Sequence, residues 1–316
     1  MPHDPSPATR RRPGRPLGPD DPDEIGGYPL VSRLGEGGQG VVYLARDPAR
    51  KDRPVTVKLL RGGRAATARA RGRFVKEAAA ARQVTGRHTA RVLDADVTGD
   101  RPYIVSEYVE GPTLQDVVAD RGPLRGDRLR RTALGSAAAL AAIHRAGVVH
   151  RDFKPGNVVL GPGGPKVIDF GIARTADATT LTTGPVGTPA YMAPEQIEDE
   201  PVGPPADVFA WGATIVYAAT GRPPFGTGPN AAVMRRITTR RPELGDLEGP
   251  LRELAARCLD KNPAARPTAR QLVRALREDR APAPKPPPRE IPRYRWRMMV
   301  ALAVVSVLGF ALGILI

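Results

Sequence analysis

The chain has 316 residues, 41% of them hydrophobic, enough to enclose a sizeable core in one two-lobed domain or two ordinary ones. Lys and Arg number 48 against 33 Asp and Glu, a net charge of +15 that favours an anionic partner: nucleic acid, anionic lipid or a charged ligand. A single cysteine, Cys258, excludes an internal disulfide framework and a zinc site built on several thiolates, and aromatics at 5%, none interleaved with the N-terminal arginines, argue against a basic nucleic-acid binder.

Residues 1–27 are rich in Pro, Arg and Asp, include Arg10, Arg11, Arg12 and Arg15, and are expected to be disordered. They hold charge but no apolar run, so no secretory signal is expected. From Tyr28 to about residue 107, short β-branched runs alternate with turns: YPLVSRL, GVVYLAR, RPVTVKLL, ARVLDADV and PYIVSEYV. An Ala/Arg-rich helical segment, residues 65–84, lies between the third and fourth, which predicts a small sheet with one helix.

Between the first two runs stands LGEGGQGVVYL, residues 34–44, where Gly35, Gly37 and Gly40 fit G-x-G-x-x-G. That spacing also opens dinucleotide-binding folds and arises by chance in Gly-rich chains, so alone it decides nothing. Its context is strand-turn-strand, whereas the dinucleotide folds require a strand-to-helix turn. Lys58 follows in VTVK, where alternation can aim its ammonium beneath a glycine flap, and Glu77 in RFVKEAAAARQ could pair with it.

After EGPT the pattern turns mainly helical through residues 113–278, most clearly in RLRRTALGSAAALAAIHRAG and ADVFAWGATIVYAATG. Cys258 sits in the amphipathic LRELAARCL and reads as a core thiol. A Pro-rich stretch with Lys285, Arg289, Arg293, Arg295 and Arg297 then precedes an uncharged run from Met298 to Ile316. At 1.5 Å per residue the run spans about 28 Å, close to the roughly 30 Å hydrocarbon core of a bilayer. Tyr294, Trp296 and the arginines match interfacial anchors and inside-facing charge, which favours a transmembrane helix over a buried core helix. Within it Gly309 and Gly313 form GxxxG, which permits close helix pairing and is also simply common in such helices.

Three further motifs complete the pattern: HRDFKPGN at 150–157, IDFG at 168–171 and GTPAYMAPE at 187–195. With the glycine loop, the VTVK lysine and the helix glutamate, their order and spacing resemble the eukaryotic-type (Hanks-type) serine/threonine protein kinases of bacteria, from about Tyr28 to Glu278. The resemblance implies an α+β, two-lobed protein kinase fold. On that reading a disordered tail (1–27) precedes a small β-rich N-lobe with one key helix (28–107) and a larger, mainly α-helical C-lobe (108–279). A Pro/Arg-rich juxtamembrane linker (280–297) and one C-terminal transmembrane helix (298–316) follow. It further implies transfer of the γ-phosphoryl group of ATP to Ser/Thr hydroxyls of proteins, including the chain's own activation loop, with Mg²⁺, or alternatively Mn²⁺, as the metal.

Phosphoryl transfer needs cations at the phosphates and a carboxylate at the nucleophile. By the resemblance, Asp152 accepts or orients the substrate hydroxyl proton and Lys154 stabilises the transferring phosphate. Asn157 and Asp169 hold Mg²⁺, Lys58 grips the α- and β-phosphates, and Glu77 orients Lys58. Leu34, Gly35, Gly37, Gly40, Val42, Lys58, Glu107 and Val109 are the implied ATP contacts. Thr188 supports the substrate hydroxyl, and Arg151 is left to receive a phosphothreonine, for which Thr180 and Thr182 are selected; a flexible polar loop is the plain alternative. Glu195 is implied to pair with Arg266, Asp207 to hold the catalytic loop, and His150 to pack as a spine residue rather than act as a base.

Two positions depart from the family pattern: Thr56 stands where Ala is usual against the adenine, and Ser106 is a small residue just before the Glu107-Tyr108-Val109 hinge. The expectation is a single-pass cell-membrane protein with a cytoplasmic kinase domain. Its partners would be ATP, protein substrates, membrane lipid and a second copy through GxxxG, with no nucleic acid. A catalytically weak pseudokinase serving as a membrane scaffold is the alternative, and the presence of Lys58, Glu77, Asp152, Asn157 and Asp169 speaks against it.

Overall fold

The alternation in the first part of the chain becomes a six-stranded antiparallel sheet in the computed structural model, which describes residues 14–37, 40–60, 68–96, 99, 101–170 and 189–279. The strands are β1 (Glu24–Ile25), β2 (Tyr28–Gly37), β3 (Gly40–Asp47), β4 (Arg53–Leu60), β5 (Val92–Asp96) and β6 (Tyr103–Glu107), in spatial order β1-β2-β3-β4-β6-β5.

Side-chain alternation gives this sheet two different faces. Tyr43 and Ala45 of β3, Val55 and Val57 of β4 and Val105 of β6 share one face and, with Ile25, close a small core. Thr56 and Lys58 take the alternate positions of β4 and are only partly buried. Register sets Lys58 opposite Val42 and Ile104, and Thr56 opposite Leu44 and Ser106. The two departures from the family pattern are therefore direct cross-strand neighbours. Helix α1 (Ala68–Arg82) packs against β5 and buries Ala78 and Ala81.

Residues 14–27, expected to be disordered, belong to this layer. The backbones of Arg15 and Arg33 exchange two hydrogen bonds, of 2.9 and 2.8 Å. β1 pairs with β2, Ile25 is 4% exposed, and Leu17 packs against the same small core. Composition misled because two apolar anchors are hidden in a segment whose average is polar and Pro-rich. Residues 1–13 lie outside the described residues.

The second layer is mainly helical: α2 (Leu114–Arg121), α3 (Gly126–Arg145), α4 (Pro194–Ile197), α5 (Pro204–Thr220), α6 (Asn230–Thr239), α7 (Gly249–Cys258) and α8 (Ala269–Glu278). A two-stranded ribbon, β7 (Val158–Gly161) and β8 (Gly164–Val167), sits among them. Thr113 and Asp116 form a reciprocal capping box that starts α2. α5 is apolar almost all round and accordingly runs through the middle of the core, where the Trp211 indole donates to Ser136 Oγ at 3.0 Å. Cys258 is fully buried, and burial pushes its thiol pKa up, in keeping with a core thiol. Among the described residues no helix is long and apolar enough to cross a membrane; Met298–Ile316 and residues 280–297 lie outside them.

Candidate active site

The glycine loop grows directly out of β2 and β3. Gly35 pairs with Val42 and Gly37 with Gly40. Gly40 has φ 147°, and a side chain there would bring its Cβ within 1.9 Å of the Leu59 carbonyl oxygen, so only glycine fits against β4. Around Gly35 and Gly37 the space a Cβ would fill is open, as backbone N–H groups approached by phosphates require.

Facing the sheet is the loop between α3 and β7, and its shape is held from below. Asp207, 1% exposed on α5, accepts hydrogen bonds from the backbone N–H groups of His150 and Arg151, both at 2.8 Å. The His144 Nε2 lies 2.7 Å from the same carboxylate. This clamp sustains Arg151 at φ 61°, a left-handed conformation that costs a non-glycine residue about 1–3 kcal/mol. Asp169 has the same kind of strain, with φ 58°.

His150 is packed, edge-on to Phe153 and Phe170 with ring centroids 5.5 and 6.4 Å apart. Burial lowers its pKa, so the ring is neutral. The Asp152 N–H donates toward Nδ1 at 3.4 Å, which leaves the proton on Nε2 to be donated to the Ile168 carbonyl at 3.2 Å. A ring used at both nitrogens to hold backbone is a spacer rather than a base.

Asp152 is surrounded by polar partners. Lys154 Nζ lies 2.8 Å from its Oδ2, and Asn157 Nδ2 donates to its backbone carbonyl at 2.8 Å. The Asn157 carbonyl in turn accepts from Ile168 N at 3.0 Å, which ties this loop to the residue before Asp169. Asp169 Oδ2 then reaches Lys58 Nζ on β4 at 3.5 Å. A continuous polar chain thus runs from Asp152 to the lysine under the glycine loop.

Glu77 is expected to orient Lys58. An ion pair joins Glu77 to Arg151, at 2.9 Å between Oε1 and Nη1, and another joins Lys58 to Asp169. The Arg151 guanidinium thus stands within reach of the same carboxylate and presents more donors than an ammonium.

The Protein kinase domain family model matches residues 28–276. This chain belongs to the protein kinase family. It is 48% identical over 86% of its length to the probable serine/threonine-protein kinase PkwA of Thermomonospora curvata, and 43% identical over 81% to the serine/threonine-protein kinase AfsK of Streptomyces coelicolor. The chain spans 37% and 32% of those two relatives' lengths. Among solved structures, the kinase domain of Mycobacterium tuberculosis PknI aligns with a TM-score of 0.63 at 28% identity, covering 81% of this chain and 96% of that one.

Within the kinase fold, Leu34 and Val42 lie partly buried on β2 and β3 beside the glycines, and Val109 lies partly buried just after β6. Glu107 ends β6 and pairs with Lys166 of β8 at 2.6 Å. Glu195 and Arg266 form the expected buried bidentate pair, at 2.7 and 2.9 Å. Thr180, Thr182 and Thr188 lie outside the described residues. Two supports had no signal in the sequence: Lys166 on Glu107, and Gln196, whose Nε2 donates to the Arg151 carbonyl at 3.0 Å. Their partners are 59 and 45 residues away, beyond any local pattern.

Among the described residues no cluster of three or more His, Cys, Asp or Glu could hold a metal unaided. Mg²⁺ delivered with nucleotide phosphates needs only one or two protein groups with oxygen donors, and Asn157 and Asp169, linked through Ile168, fit that demand. A bound ion would neutralise charge on the phosphates, and Lys58, Asp152 and Lys154 would stand around them.

Proposed function

We propose that the chain is a serine/threonine protein kinase that transfers the γ-phosphoryl group of ATP to protein hydroxyls, with Mg²⁺ held by Asn157 and Asp169. The observation that carries this is the Lys58–Asp169 contact of 3.5 Å, which sets the phosphate lysine of the sheet against the metal-site carboxylate of the helical layer. The names of PkwA and AfsK support the serine/threonine choice, as does Lys154 at 2.8 Å from Asp152.

In this reading Asp152 orients the substrate hydroxyl, Lys154 balances charge on the moving phosphoryl group, and Thr188 supports the acceptor. Thr180 and Thr182 are the activating phosphosites. The uncharged run Met298–Ile316 anchors the enzyme in the cell membrane with its kinase domain on the cytoplasmic side, and Gly309 and Gly313 allow two copies to pair there. Incubation of the protein with labelled ATP and Mg²⁺, followed by mass-spectrometric mapping of phosphosites, tests the reaction and the loop assignment together. Absence of any transfer to itself or to a generic Ser/Thr substrate would leave the scaffold reading in its place.

A further inference from the structure

The family model begins at residue 28, yet the segment before it is built onto the sheet at one particular place. Arg33 of β2 and Tyr43 of β3 are cross-strand partners, and the next pair toward the loop is Gly35 with Val42, after a register irregularity. The N-terminal segment grips both members of the Arg33/Tyr43 pair. Arg15 bonds the Arg33 backbone through its own N–H and carbonyl, at 2.9 and 2.8 Å. Asp21 Oδ1 accepts the Tyr43 hydroxyl at 2.6 Å.

The approach is close and shaped. Gly14 has φ 92°, and a Cβ there would lie 2.5 Å from the Arg33 carbonyl oxygen. A turn closes between Gly18 and Asp21, whose Oδ2 accepts the Gly18 N–H at 2.9 Å, so one carboxylate fixes both the turn and the tyrosine. Tyr43 is 2% exposed, on the sheet face away from Thr56 and Lys58. Leu17 and Ile25 pack against the same small core on either side of Asp21.

We propose that residues 14–25 form a clasp that sets the position of the glycine loop over the phosphates, with Asp21 and Tyr43 as positioning residues for ATP. A register irregularity at the root of a loop disrupts the ladder and bends the strand, so the pair beside it sets the angle at which the loop leaves the sheet. Holding the last regular pair before it, from behind the sheet, fixes that angle without any group entering the nucleotide site. The clasp therefore acts on nucleotide binding rather than on the chemistry at Asp152.

This inference rests on the ATP-site reading above, and the test separates the two. In full-length protein, Asp21→Ala and Tyr43→Phe are each expected to raise KM for ATP roughly threefold to tenfold with kcat within about twofold of wild type. Asp21→Asn, which keeps one acceptor oxygen of the two, is expected to restore KM only in part, to a value between wild type and Asp21→Ala. The double variant Asp21→Ala/Tyr43→Phe is expected to be no worse than Asp21→Ala alone, because that change already removes the Tyr43 bond. Thermal midpoints are recorded for every variant. A lowered midpoint with unchanged KM makes the segment merely structural and overturns the proposal, as does a fall in kcat at constant KM, or no change at all. An inactive wild-type protein would instead sink the kinase reading.

Discussion

Glu77 of the N-lobe helix and Arg151 of the catalytic loop form a 2.9 Å ion pair between the two lobes. The family pattern gives each of them a different partner, Lys58 for Glu77 and a phosphothreonine for Arg151. One contact thus engages both, and Lys58 also meets Asp169. A phosphate carries about −1.5 to −2 charges and can bind a guanidinium through two parallel hydrogen bonds, so it outcompetes a single carboxylate contact.

The expected outcome is that loop phosphorylation draws Arg151 from Glu77 and leaves that carboxylate to Lys58. Coupling of this sort is typically about 5- to 150-fold. In Arg151→Ala the ratio of phosphorylated to phosphatase-treated activity is expected to fall to about one. Activity assays on both forms of both proteins check it; a stimulation equal to wild type would show that the loop acts through another cation.

Much of this arrangement was legible in the sequence, and the exceptions share a cause. Lys58, Asp152, Asn157 and Asp169 stand in short motifs whose local geometry is set by their neighbours, and the structure joins them in one polar chain. The contact of Glu77 with Arg151 was not legible, because it depends on how helix and loop stand in three dimensions. The Asp21–Tyr43 bond was invisible for a further reason. A Pro- and Asp-rich stretch reads as disordered on average, and nothing local announces that Leu17 and Ile25 have a face to bury.

Lys58 also gives the plainest test of the phosphate site. Lys58→Met is expected to reduce autophosphorylation roughly 100-fold or more, because the ammonium acts where charge develops, while far-ultraviolet circular dichroism stays unchanged. Asp169→Asn is expected to do likewise through the metal. Undiminished transfer by Lys58→Met would overturn the assignment.

Thr56 and Ser106 are cross-strand partners on the strands beside Lys58 and Glu107. In the proposed ATP site the small Ser106 would leave room behind the adenine, which a long side chain at that position would fill. Wild type is expected to use ATP analogues with a bulky N6 substituent, and Ser106→Met to exclude them, with discrimination of roughly 10- to 200-fold. Equal rejection of the analogue by both proteins would mean that the hinge lies elsewhere.

Lys261 titrates in a range that stability measurements can reach. Burial first, and then the charge of Arg266, lowers its pKa from 10.5 to about 8, although the ammonium lies over the Phe225 ring at 4.1 Å. The folded state therefore disfavours the charged form. In the unfolded chain Lys261 still binds a proton between about pH 8 and 10.5, so the unfolded state holds more protons there and stability from this group rises with pH. The penalty is fully present below about pH 8 and is relieved above it. Relative to Lys261→Met, wild type is expected to gain in urea midpoint between pH 7.5 and roughly 10. A constant difference across that range would show an unshifted lysine.

Glu195 and Arg266 test whether a buried ion pair can be replaced by apolar packing. The side chains are 3% and 0% exposed, and both guanidinium Nη atoms reach the carboxylate, at 2.7 and 2.9 Å. Glu195→Ala, which strands the guanidinium, is expected to cost about 3–5 kcal/mol. Replacing both partners with methionine often rescues such sites, because two desolvated charges disappear together. Here it is not expected to. Arg266 also donates to the carbonyls of Pro205, Asp260 and Lys261, at 3.0, 2.8 and 3.1 Å, so its loss leaves three backbone acceptors to find new donors. Each unsatisfied acceptor costs about 1–3 kcal/mol. Glu195→Met/Arg266→Met is therefore expected to remain at least about 3 kcal/mol less stable than wild type in urea unfolding. A double variant as stable as wild type would mean that water reaches those carbonyls, and that the guanidinium serves Glu195 alone.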